Sequence, residues 1–361
     1  MSDGLHALGW NVVECGLDTV AGRVTAPLPG FLAAVHPVAA DRVAAALSSM
    51  ELGSLVLVDG LIAFAPNILL NPAAEAQMAL RRIVLLVHML PAPRGAGDLL
   101  EGERNALCRA VAVVTTSGWA REQVVERYGV PRERVFVVAP GSDPAPLAAS
   151  TQAVGEGNSG GSLLCVAAVL PAKGHDVLIN ALVKLRSTEW TCNLVGAMDR
   201  DAAFTGSLRQ QAMQAKIDDR LSFKGPLGRD ELAREYASAD ILVLPSRTET
   251  YGMVITEALS RGLPVIASNI GGVPEALGHG ADESLPGLLV PAGNPVALAG
   301  ALRRWLSDPP LRGALREAAR QRRNILAGWD ASAVRMSAVL AQAAASPMPA
   351  QQGCARVQGG N

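Results

Sequence analysis

Residues 241–275, ILVLPSRTETYGMVITEALSRGLPVIASNIGGVPE, constrain the fold more than any other stretch. The apolar run 241–244 stops at Pro245, as a strand buried on both faces does. Residues 250–261 then place Met253, Ile255, Ala258 and Leu259 at helical spacing, and Gly262 ends the pattern. A second apolar run, 264–267, leads into Gly271-Gly272, a loop with a permissive backbone. Strand, helix, strand in this order is a parallel βαβ unit, and such units bind ligands in the loops beyond the carboxyl ends of their strands. Those loops carry Ser246, Glu249, Thr250, Tyr251, Gly252, Gly271 and Gly272, with Glu257 on the helix between them.

These residue types suit an anion and a polyol together. Free N–H groups at the start of the helix after Glu249 can hold phosphate oxygens, and Gly252 lets a ligand approach that turn closely. Carboxylates repel phosphate, so Glu249 and Glu257 need another task. Accepting hydrogen bonds from sugar hydroxyls is the natural one. Two glutamates at this spacing also describe a helix with exposed carboxylates; the neighbouring Pro-Ser, Tyr-Gly and Gly-Gly-Val-Pro-Glu favour a site.

Glu249 to Glu257 resembles the E-x7-E motif of retaining, nucleotide-sugar-dependent glycosyltransferases of family four, which have the GT-B fold. The setting LPSRTETYGMVITEALSRGLPVIASNIGGVPE is similar to that family almost residue for residue, and the similarity extends over 5–345, most specifically 164–291. It implies two Rossmann-like, doubly wound parallel-sheet α/β domains facing a cleft.

The length suits two domains, and 49% hydrophobic residues supply a core for each. Abundant Ala, Gly, Arg, Pro and Val with few aromatics fit a GC-rich bacterial genome. A net charge of −1 favours neither nucleic acid nor an anionic membrane. The five cysteines, 15, 108, 165, 192 and 354, lack metal or redox spacing, and reduced thiols in a cytoplasmic protein are expected. No signal peptide pattern opens the sequence, and no apolar run is long enough to span a membrane.

In chain order, strands are expected at 11–15, 55–58, 83–87, 111–115 and 135–138, with helices at 39–50, 72–80, 98–109 and 120–128. This alternation predicts a doubly wound parallel sheet over 1–142, on the acceptor side. Relatives begin with a further strand and a Gly-rich loop, which this sequence lacks, so the first domain is expected to be short at its N-terminus. A Gly- and Ser-rich linker occupies 143–160. The nucleotide-sugar-binding domain is expected over 161–328, with strands at 163–167, 193–195, 221–223 and 288–290 besides the two above. Helices are expected from Lys173 to Lys184, at 295–306 and at 310–325. A helix at 329–345 resembles the one that returns to the first domain in the family, and 346–361 read as a disordered tail.

Lys173 sits in a strand-to-helix loop and can meet a diphosphate as a point charge; a solvated lysine is the plain alternative. The family often has Gly-Arg shortly before it, where this chain has Ala167-Ala168. His88 ends a strand of the first domain, where the family carries a functional histidine that contacts the transferred sugar or orients the acceptor. In relatives Gly225, Pro226 and Leu227 contact the base. His175 has a weaker claim, and Asp240 is expected to border a strand. The arginines between 303 and 323 read as a solvated helical face. No His, Cys or Asp cluster and no Asp-x-Asp suggests a metal, and no cofactor is expected beyond the sugar nucleotide itself.

The resemblance implies a metal-independent retaining hexosyltransferase using a UDP- or GDP-sugar and a small-molecule, glycan or lipid acceptor. Glu257 would hold the ribose, and Glu249 the sugar near its reacting carbon. Lys173 with the Gly252 and Gly272 N–H groups would hold the diphosphate. The alternative is a nucleotide-sugar-binding module without transfer activity, motivated by the missing strand and loop. An epimerase or phosphorylase fits the motifs less well, and a dehydrogenase lacks its G-x-G-x-x-G.

Overall fold

Strand pairing is parallel throughout the described residues, in two separate sheets. The structure is a computed structural model that describes residues 1–12, 37–50, 54–64, 71–90, 98–149 and 160–349. It forms two units, Met1–Pro140 with Trp329–Asn361, and Gly141–Gly328.

The first unit has strands β1 (Leu55–Asp59), β2 (Arg82–Val87), β3 (Ala112–Thr115) and β4 (Val135–Val137) in that spatial order. Strand β2 shows why this sequence makes a covered sheet. Ile83, Leu85 and Val87 enter one layer with Leu47, Phe64, Leu107 and Tyr128. Val84 enters the opposite layer, where Leu5, Val114, Met336 and Leu340 meet. A period of two sends alternate side chains to opposite faces, and both faces are apolar, so the strand is buried on both. The helix Trp329–Ala345 supplies Met336 and Leu340 to that second layer. Trp10 fastens the N-terminal turn to it through an Nε1–H bond of 2.8 Å to Ser337 Oγ. Burial of each such large apolar side chain contributes about 1.5–3 kcal/mol.

The second unit has strands β5 (Ser162–Val166), β6 (Thr191–Val195), β7 (Leu221–Gly225), β8 (Ile241–Leu244), β9 (Val265–Ser268) and β10 (Gly287–Val290). Their spatial order is β10-β9-β8-β5-β6-β7. Leu163, Cys165, Leu194, Ile241, Val243 and Ile266 form one core with the helices His175–Val183 and Pro295–Ser307. Trp305 is fully buried there, and its indole N–H donates to the Gly160 carbonyl at 2.7 Å.

Several expectations are adjusted. Asn11 and Val12 carry no regular structure, and the rest of the strand expected at 11–15 lies outside the described residues. So do 150–159 of the expected linker and 350–361 of the expected tail. The helix expected at 250–261 spans only Met253–Leu259, because Gly252 takes a left-handed conformation (φ +95°) that helical backbone cannot include. Two helices not anticipated, Ala202–Gln214 and Arg229–Ser238, connect β6 to β7 and β7 to β8. Cys108 is disulfide-bonded, which corrects the expectation of reduced thiols. Cys165 and Cys192 are free and buried. No described helix is long and apolar enough to cross a membrane.

Candidate active site

In the second sheet the chain builds outward from β5 through β6 to β7, then returns to place β8 on the other side of β5. Loops leaving β5 and β8 therefore diverge from adjacent strand ends, which is where open α/β sheets hold ligands. Lys173 lies on the first of these loops, and Ser246 and Glu249 on the second.

Backbone geometry fixes the lysine loop. After β5 the chain makes a tight turn, Pro171–Lys173, and passes through Gly174 at φ +70° into the helix His175–Val183. A Cβ at Gly174 would stand 2.0 Å from the Pro245 carbonyl oxygen, so only glycine lets this turn rest on the end of β8. Arg247 clamps the two loops. Its N–H donates to the Ala172 carbonyl at 2.8 Å, and its guanidinium donates to the Pro171 carbonyl at 2.7 Å. The same guanidinium forms a two-pronged pair with Asp176 at 2.7 and 2.6 Å. Burial raises the Asp176 pKa, but the Arg247 hydrogen bonds and charge outweigh it and hold the carboxyl below its usual range.

Within this frame Lys173 Nζ reaches Glu249 Oε2 at 2.7 Å. Ser246, fully buried, donates its hydroxyl to the same oxygen at 3.3 Å. The Gly272 N–H donates to the Glu249 backbone carbonyl at 3.1 Å, tying the Gly271-Gly272 loop after β9 to the same segment. That N–H is therefore engaged within the protein, contrary to the expectation that it faces a diphosphate; its proximity to Glu249 in the fold gives it a nearer acceptor. Thr250 is half-buried, Tyr251 is buried, and Gly252 provides the left-handed turn before the helix.

Glu257 lies on that helix. Its Oε2 accepts a hydrogen bond of 2.8 Å from the hydroxyl of Tyr236. Arg261 stacks over the Tyr236 ring at 4.6 Å and donates to the Glu257 backbone carbonyl at 2.7 Å. Burial, and then the Glu257 charge, push the Tyr236 phenol well above its ordinary pKa, so it stays a donor. Gly225 ends β7 with φ +72°, and its carbonyl accepts from the Gly196 N–H at 2.9 Å; Pro226 beyond it is exposed and Leu227 half-buried.

His175 is fully buried beneath the lysine loop. Its Nε2 lies 3.9 Å from Cys165 Sγ, while its Nδ1 has no hydrogen-bond partner. Burial pulls its pKa down to about 4 and pushes the Cys165 thiol up to about 12, so both are neutral at neutral pH. Asp240 borders β8: it accepts from the Ser162 N–H at 2.9 Å and pairs with Arg316 at 3.3 Å. In the first unit His88 Nδ1 lies 3.6 Å from Asp59 Oδ2, bringing together the ends of β2 and β1.

Tyr236 and Arg247 are missing from the residues singled out by sequence. Arg247 could have been suspected from its place between Ser246 and Glu249; Tyr236 lies outside every motif. Of the arginines expected to form a solvated face, Arg303 and Arg304 are exposed, while Arg316, Arg320, Arg322 and Arg323 are only half-buried and several of the seven make internal bonds. Arg312 is buried and holds the carbonyls of Trp305 and Leu306, Arg316 pairs with Asp240, and Arg323 binds the carbonyls of Ser260 and Ala145. Long side chains reach back into the unit, which charge counting along a helix does not show.

Residues 150–322 match the family model described as glycosyl transferases group 1. A D-inositol 3-phosphate glycosyltransferase of Jonesia denitrificans is 33% identical over 263 residues, covering 69% of this chain and 60% of the relative. Its counterpart in Kineococcus radiotolerans is 33% identical over 260 residues, covering 67% and 59%. The chain thus spans about three fifths of the length of these curated relatives. Among solved structures, Anabaena Alr3699/HepE in complex with UDP and glucose aligns with a TM-score of 0.68 at 20% identity, covering 84% of this chain and 82% of that one. Sucrose-phosphate synthase from Thermosynechococcus elongatus aligns with a TM-score of 0.67 at 22% identity, covering 85% and 78%. Residues 150–322 thus match glycosyl transferases group 1, in a chain whose two parallel-sheet α/β units have the GT-B fold.

Proposed function

We propose that this chain is a retaining glycosyltransferase that moves a sugar from a nucleoside diphosphate sugar to an acceptor without a bound metal. The observation that carries this reading is the meeting of Lys173 and Glu249 from loops at adjacent strand ends, with Glu257 held on the following helix. A cation for a diphosphate and two carboxylates for hydroxyl groups are what a sugar nucleotide requires. Glu257 takes the ribose hydroxyls. Glu249 takes hydroxyls of the sugar near the reacting carbon, and Lys173 with the Gly252 turn takes the diphosphate. Gly225, Pro226 and Leu227 take the base. His88, paired with Asp59, hydrogen-bonds the transferred sugar or orients the acceptor.

Cleavage of the bond between sugar and phosphate builds positive charge on the sugar carbon and negative charge on the leaving diphosphate. Lys173 is placed to offset the latter, which lowers the barrier only where it holds the leaving group more tightly than the intact donor. The acceptor hydroxyl attacks on the face the diphosphate leaves, its proton passing to a diphosphate oxygen, so that the anomeric configuration is kept. The relatives named D-inositol 3-phosphate glycosyltransferase and the UDP-bound Anabaena structure support a UDP-sugar donor and a small polyol phosphate among acceptors to be tried. Incubation with sugar nucleotides and candidate acceptors, with and without EDTA, tests the reading. Nucleoside diphosphate release that needs an acceptor, survives EDTA and yields a product of unchanged anomeric configuration by NMR is the expected result; an inverted product or an EDTA-abolished reaction contradicts it.

A further inference from the structure

Tyr236 belongs to none of the motifs above, yet its hydroxyl is aimed at a residue of the proposed donor site. It lies on the helix Arg229–Ser238, with only 1% of its surface exposed. A buried phenol needs an acceptor, and this one uses Glu257 Oε2 at 2.8 Å. Arg261 closes the arrangement: it stacks on the ring at 4.6 Å and holds the Glu257 carbonyl at 2.7 Å. The ring has no freedom to turn away, so the hydroxyl marks one fixed point in space. Glu257 itself is only half-buried. Its Oε1 has no donor among the described residues. A carboxylate offers about four lone-pair positions, and the tyrosine uses one of them. Left alone, a glutamate side chain on a helix surface samples several rotamers, and a ligand that needs one of them must bear the cost of fixing it.

We infer that Tyr236 is a positioning residue for ribose: it holds the Glu257 carboxylate in one orientation, leaves Oε1 for a vicinal diol, and so sets a preference for ribonucleoside over 2′-deoxyribonucleoside diphosphates. This rests on the donor reading above, which gives Glu257 the ribose hydroxyls. The preference follows from the number of donors. A ribose presents two hydroxyls to the oriented carboxylate, whereas a 2′-deoxyribose presents one and leaves an acceptor position unfilled. With the carboxylate free to turn, the difference between the two sugars shrinks, because neither meets a prepared acceptor.

The test uses the full chain and matched pairs of UDP, GDP and ADP with their 2′-deoxy forms, titrated calorimetrically. Tyr236→Phe keeps the ring, its packing and the Arg261 stack, and removes only the hydroxyl. For whichever nucleotide binds, this change is expected to weaken the ribo form roughly tenfold and the deoxy form by less, so the ratio between them falls. Glu257→Ala is expected to bring that ratio close to one, and Tyr236→Phe added to it should lower the ratio no further. Glu257→Gln gives a check that keeps the phenol: with its carbonyl oxygen held by Tyr236, a neutral NH2 group replaces the charged acceptor facing the diol, and the preference for ribose is expected to fall. A ratio unchanged in Tyr236→Phe overturns the inference while leaving the donor reading intact, whatever Glu257→Gln does. Wild-type protein that binds none of the three nucleotides rejects the donor reading and this inference with it.

Discussion

Lys173 and Glu249 are 76 positions apart in sequence, yet their side chains meet at 2.7 Å above adjacent strands. Neither is deeply buried: 29% of the lysine side chain and 15% of the glutamate side chain are exposed. An ion pair so placed adds little to stability. Its geometry instead holds an amine ready at the point where a strand-end loop turns into a helix, and a diphosphate would compete with Glu249 for it.

Lys173→Ala separates these roles. It is expected to lower transfer at least tenfold while changing unfolding free energy by about 1 kcal/mol or less. Turnover alongside a thermal melt decides the matter; a large drop in melting temperature with normal turnover marks the lysine as structural.

Glu257→Ala is expected to weaken nucleotide binding through loss of charge-assisted hydrogen bonds of about 1.5–3 kcal/mol each. Calorimetric titration with the nucleoside diphosphate reads this directly. Unchanged affinity removes Glu257, and the ribose role with it, from the account.

Arg247 joins the lysine loop to the loop after β8 through Asp176 and the Pro171 carbonyl. Arg247→Ala leaves Asp176 without its cation and frees the turn that carries Lys173. The expected cost is about 1–2 kcal/mol of stability, with a higher KM for the donor. Differential melting and donor titration of initial rates measure the two effects, and an unaltered KM would show that the clamp does not set the position of Lys173.

His175 makes stability depend on pH. Its pKa is lowered by burial to about 4, against about 6.5 in an unfolded chain. Between these values the unfolded chain binds the proton and the folded chain does not. The stabilisation is thus complete above about pH 6.5 and is lost as pH falls towards 4, by roughly 3 kcal/mol at most. Urea unfolding from pH 7 to pH 4 should show this slope in the wild type and a flatter one in His175→Leu. Equal slopes in the two proteins would place the pH dependence elsewhere.

The strand–helix alternation made the two parallel sheets legible, because runs such as 83–87 and 241–244 are apolar on both faces and end at turn residues. The loops bearing Lys173, Ser246 and Glu249 were legible for the same reason: they follow those runs. What sequence left hidden is what depends on contacts across the sheet. Gly174 is required by the Pro245 carbonyl, Arg247 by Asp176, and Tyr236 by Glu257, and none of these partners is a neighbour in sequence. The arginines of the helix Pro309–Asn324 misled for a related reason: Arg312 and Arg323 look solvated by charge but satisfy buried carbonyl groups. The Gly272 N–H, read as a phosphate donor, proved to bond the Glu249 carbonyl.

The most direct measurement is a thermal-shift titration of the purified chain with UDP, GDP, ADP and their common sugar conjugates, with and without EDTA, in the wild type and Lys173→Ala. The account requires that one nucleoside diphosphate stabilise the wild type selectively, that EDTA not reduce the shift, and that the shift shrink in Lys173→Ala. No stabilisation by any of these nucleotides, or a shift of equal size in Lys173→Ala, would contradict the claim that these strand-end loops hold a sugar nucleotide.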